Sequence, residues 1–82
     1  MTYVIVHTIA IDGNLIRCVL ASVEHRDQAT ETAMLIHGAV IDKGARKLWR
    51  SDVGSWEPLS RLPVARLHDP TGLLEGVLAD AQ

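Results

Sequence analysis

The sequence predicts a small α+β domain, an antiparallel sheet in β-β-α-β-β order with a central helix on one face and a C-terminal helix. Three observations predict it. Residues 2–23 hold two β-branched, alternating runs separated by Asp12-Gly13-Asn14. Residues 27–37 carry apolar residues at helical spacing. After Gly38 the chain breaks into short alternating stretches punctuated by Gly and Pro. Period-two and period-3.6 patterns report strands and helices because side chains alternate on a strand and recur every turn on a helix.

The first strand spans 2–11, with Tyr3, Ile5, His7, Ile9 and Ile11 on one side and Val4, Val6, Thr8 and Ala10 on the other. It is apolar on both faces. Asp12-Gly13-Asn14 suits a tight hairpin turn, whose backbone needs positive φ. Residues 15–23 return as the second strand, with Ile16, Cys18 and Leu20 sharing a face. Asp27 is the expected N-cap of a helix over 27–37, with Glu31 in its first turn to complement the dipole. Ala29, Ala33 and Ile36 line its inner face, and Met34 and Leu35 widen it. Gly38 is the expected left-handed stop.

Ala39-Val40-Ile41 is the next strand, Asp42-Lys43-Gly44 a turn, and residues 46–51 a further strand. A second turn over 52–55 leads to Trp56. Pro58 and Pro63 make 57–67 an edge strand or extended linker, because proline cannot donate to a central ladder. Asp69-Pro70 reads as a helix start, followed by Leu73, Leu74, Val77, Leu78 and Ala81 at helical spacing.

The chain has 82 residues, of which 48% are hydrophobic, and the only large aromatics are Tyr3, Trp49 and Trp56. That length supports one domain over 1–82 with an aliphatic core, and excludes a large internal substrate cavity. No apolar run approaches a membrane span and the N-terminus lacks a signal-peptide layout, so the expected setting is cytoplasmic and no membrane partner is expected. A single cysteine excludes an internal disulfide framework. Cys18 is expected to be buried; if its face is open, it supports an intermolecular disulfide.

Catalysis finds no motif: Ser22, Ser51, Ser55 and Ser60 lack a nucleophile-elbow context, and Glu31, Asp42 and Glu57 read as solvated acids. His7, His25, His37 and His68 show no metal-ligand spacing. The sequence is therefore read as a non-enzyme with no metal or cofactor.

Charge is divided along the chain. Residues 1–42 carry net −3, residues 43–66 net +4, and residues 67–82 net −3. Both Trp residues fall in the basic third. Lys43, Arg46, Lys47, Trp49, Arg50 and Trp56 form the candidate partner-binding set, because cations pair with acidic groups and an exposed Trp anchors an interface or stacks on a base. The competing reading makes one Trp core filler in a Phe-free protein. A net charge of −2 favours a protein partner over nucleic acid.

The layout has Tyr3-Val4-Ile5-Val6 leading to a hairpin and a helix closed by His37-Gly38. Val40-Ile41, Leu48-Trp49 and Trp56 follow. Over about residues 2–57 this resembles small phage-encoded anti-CRISPR proteins that inhibit type I crRNA-guided surveillance complexes (Cascade). The resemblance implies a non-enzymatic inhibitor in the bacterial cytoplasm that binds a subunit of the complex and blocks target DNA. On that reading Arg46, Lys47, Trp49 and Arg50 contact the complex. Two further readings are a small nucleic-acid-binding phage regulator using the basic 43–66 strip, and a homodimer joined by the C-terminal helix or a strand edge.

Overall fold

The computed structural model describes residues 2–61 and 67–74. Its elements are β1 (Tyr3–Ile11), β2 (Asn14–Val23), α1 (Arg26–Leu35), β3 (Ala39–Asp42), β4 (Lys47–Arg50), β5 (Trp56–Pro58), a 3-10 turn (Leu59–Arg61) and β6 (Leu67–His68). They form a small α+β domain: one six-stranded sheet in the order β5-β4-β3-β1-β2-β6, with one α-helix among the described residues. The sheet is mixed, not antiparallel throughout as expected, because β6 pairs parallel to β2 at Arg17 and Cys18.

Asp12 and Gly13 both have positive φ, 51° and 78°, and Ile11 pairs with Asn14 across them. A two-residue turn of that hand matches the right-handed twist of the strands it joins. The β1–β2 register slips between Ile5 and Val6: Ile5 faces Ala21 while Val6 faces Val19. Leu20 is the extra residue of this bulge and is exposed, so the even alternation expected for Ile16, Cys18 and Leu20 is broken.

Both faces of β1 are buried at its start, which explains its continuous apolar run. Tyr3 and Ile5 pack with Val40, Trp49, Ala29 and Ala33 beneath α1. Val4 and Val6 pack with Val19, Ile41, Leu48, Leu59 and Leu74 on the other face. Leu59 and Leu74, which follow β5, cover that second face, and β6 lies at the opposite edge of the sheet from β5.

The helix begins one residue before the expected range. His25 is the N-cap and makes no side-chain cap bond, while Asp27 lies inside the first turn, where its charge still complements the dipole. Only Ala29 and Ala33 are buried. Met34 is 60% exposed and Leu35 is 83% exposed, so neither widens the inner face as expected. Met34 and Leu35 follow Ala33 by about 100° and 200° around the helix, which carries Leu35 to the side away from the sheet and leaves Met34 beside the narrow alanine contact.

The helix stop also differs. His37, not Gly38, takes the left-handed conformation, with φ 54°. The Gly38 N–H donates to the Ala33 carbonyl at 2.8 Å, closing a Schellman motif. Gly38 is required for close approach instead: a Cβ there would overlap the Val6 carbonyl oxygen.

The expected extended segment 57–67 resolves into the edge strand β5, the 3-10 turn and part of β6, with 62–66 outside the described residues. Asp69-Pro70 opens a turn over 69–74 and not a helix; residues 75–82, the rest of the expected C-terminal helix, lie outside the described residues. The Asp69 carboxylate accepts from Thr71 Oγ1 at 2.6 Å and from the Leu74 amide at 2.9 Å. Leu74 is thereby held against the sheet.

Partial desolvation pushes the Asp69 carboxyl up, but hydrogen bonds from the Thr71 side chain and the Leu74, Leu73 and Gly72 amides outweigh it. The pKa falls below its ordinary 3.8. A depressed pKa contributes stability that is present above the unfolded value and is lost as pH falls through the folded one. Asp69→Asn is expected to lower stability at pH 7 by about 1 kcal/mol, the scale of a lost cap. Urea denaturation should show that gap at pH 7 and its narrowing as the pH falls below 3.8 and the folded carboxyl protonates; a gap that does not narrow in acid would contradict the assignment.

Candidate binding surface

The six residues expected to form one surface are dispersed by the pleat. Lys43 and Arg46 lie on the β3–β4 loop, half-buried and exposed respectively. Lys47 is exposed at the start of β4, in register with Asp42 and Pro58. Trp49 is only 8% exposed and lies in register between Val40 and Trp56, under α1. It is a core residue, so its expected role as a surface anchor is corrected. Trp56 is half-buried on the same layer, its ring centroid 6.4 Å from that of Tyr3 at 57°. Such a tilted pair suits the aromatic quadrupole. Arg50 points to the other face, where its Nε donates to Glu57 Oε2 at 3.1 Å.

The loop bearing Lys43 and Arg46 is tightly held. Asp42 is 8% exposed, and its Oδ1 accepts the Ala45 amide at 3.1 Å. Arg46 adopts φ 54°, and its carbonyl accepts the Leu59 amide at 3.0 Å. Asp42 is therefore a loop-fixing acid that accepts a bond from within its own turn.

The sequence reading missed a cleft of about 600 Å³. β1 pairs with β3 only over Tyr3–Val6, yet β1 continues to Ile11. Beyond Val6 the hairpin runs past the start of β3, and the cleft beside it is walled by Thr8, Arg17, Met34, His37, Arg50 and Asp52. The signal in the sequence was a length mismatch: a nine-residue strand beside a four-residue one.

Cys18 is half-buried, between the extremes weighed from sequence. Register places it beside His7 on β1 and His68 on β6. Even so, no three His, Cys, Asp or Glu side chains among the described residues come together to hold a metal ion. No helix among the described residues is long and apolar enough to cross a membrane. No protein-family model, curated protein or solved structure matches this chain.

Proposed function

We propose that this chain is a non-enzymatic, protein-binding inhibitor that engages its partner through the β3–β4 loop. The observation that carries this reading is the clustering of Lys43, Arg46 and Lys47 on and beside a loop fixed by Asp42 and by the Arg46–Leu59 backbone bond. A loop already held in one conformation loses little entropy on docking. Its cations suit an acidic protein surface. The element-order resemblance over about residues 2–57 makes a subunit of a type I crRNA-guided complex the partner to test first.

The test is target-DNA binding by such a complex, with and without this chain. The chain is expected to co-purify with the complex and to suppress DNA binding. The Lys43→Gln/Lys47→Gln double variant, which removes both charges without setting a carboxylate opposite Asp42, should weaken that suppression by roughly tenfold or more, with an unchanged melting temperature. Arg50 is left intact, because Arg50→Glu would set two carboxylates together at Glu57. Neither co-purification nor suppression would overturn the reading.

A second reading, a nucleic-acid-binding regulator, draws on the same cations. The burial of Trp49 removes one stacking platform from it. Salt-dependent retention of DNA by the chain alone, without inhibition of the complex, would favour it.

A further inference from the structure

We infer that the open edge of β1 over residues 7–11 is an interface for a second copy of this chain, paired antiparallel across a two-fold axis near Ile9. Among the described residues, this stretch pairs with β2 on one side and with no strand on the other. The two outer edges of the sheet are blunted: β5 has three residues including Glu57 and Pro58, and β6 has two. Short edges, charge and proline are the usual defences against edge pairing. The stretch His7-Thr8-Ile9-Ala10-Ile11 has no Asp, Glu, Lys, Arg or Pro, and three of its five residues are β-branched. It is built to pair.

Three features select a second copy as the occupant. An antiparallel match of one strand with itself is isologous, so it closes at two molecules. Beyond Thr8 the described part of the hairpin is a two-stranded ribbon, since β6 pairs with β2 only at Arg17 and Cys18; such a ribbon is marginal alone in water, and self-pairing makes it four-stranded. Charge is compatible with self-pairing as well. Asp12, exposed at the hairpin tip, is the only Asp, Glu, Lys or Arg among residues 1–16. Antiparallel pairing about Ile9 sets the partner subunit's Asp12 opposite Val6, so no two like charges meet along the paired strands. The incoming strand would also cover Met34, which lines the cleft while 60% exposed. The inference stands apart from the proposed inhibitor role.

Light scattering coupled to size-exclusion chromatography at about 100 μM should give twice the monomer mass, since weak but specific dimers populate in that range. Thr8 is exposed, so Thr8→Lys should preserve the far-UV circular dichroism spectrum while weakening the dimer by roughly tenfold or more. Ile9→Cys in a Cys18→Ser background should form an intermolecular disulfide on mild oxidation, because directly opposed strand residues meet the Cα separation a disulfide needs. Ser60→Cys in that background should not. A monomeric wild-type chain at that concentration, or a dimer indifferent to Thr8→Lys that lacks the Ile9→Cys cross-link, would overturn the interface. So would a monomer that takes an unrelated extended peptide into the cleft.

Discussion

Gly38→Ala is expected to destabilise the domain by about 2–4 kcal/mol, the range of severe overpacking. The new methyl would overlap the Val6 carbonyl oxygen, a backbone atom in the middle of the sheet that has no rotamer to escape into. Relief requires moving β1 away from the end of α1. That movement strains the Gly38–Ala33 hydrogen bond that closes the helix and the Ser51–Gly38 bond that ties the end of β4 to it. A domain of this size has a stability of roughly 4–12 kcal/mol, so the loss is a large share of the total. Urea denaturation reads it directly. Replacing His37 instead provides the control, because His37 holds the positive φ and is exposed. His37→Gly should leave the domain at least as stable as wild type. If Gly38→Ala proved neutral and His37→Gly destabilising, the close-approach assignment would be wrong.

Trp49→Ala is expected to cost about 3–5 kcal/mol, the range for a buried aromatic truncated to alanine. Trp49 sits in register with Val40 and Trp56 and closes the layer under α1 that also holds Tyr3, Ile5, Ala29 and Ala33. The helix faces this layer with small alanines, and the larger neighbours Val23, Ile36 and Trp56 lie at its margin. Trp49→Phe should recover most of the loss by restoring ring volume. Trp56→Ala should cost less, since that ring is half-buried at an edge strand. Quenching by acrylamide separates the two rings: in Trp56→Phe, fluorescence from Trp49 should be shielded, and in Trp49→Phe the residual emission should be quenched more readily. A Trp49→Ala chain that melts like wild type yet loses its partner would place Trp49 at an interface instead.

Legibility from sequence tracked the range of the interaction concerned. The β1–β2 hairpin and its turn were readable because Asp12-Gly13 satisfies a local φ requirement and alternation is a local pattern. The extent of α1 was readable to within a residue or two for the same reason. What covered each face was not. Ala29 and Ala33 were rightly placed inward, but Met34 and Leu35 lie about 100° and 200° around the helix from Ala33, and the contact with the sheet is too narrow to reach either. The basic third was legible as composition, yet the pleat sends Lys47 and Trp49 to one face and Arg50 to the other. The cleft was missed because it arises from the unequal lengths of paired strands.

The sequence by itself determined the local elements: a turn of required hand, a two-face apolar strand, a helix with an alanine seam, and a basic loop region. Each follows from backbone sterics and side-chain period, which act within a few residues. Only the tertiary structure decided that Trp49 is core, that Gly38 serves a close approach and not a left-handed turn, and that β6 joins parallel at the far edge. It alone left the end of β1 without a neighbouring strand on one side among the described residues. Those outcomes depend on which surfaces meet across the sheet, and burial is settled by the partner an element packs against.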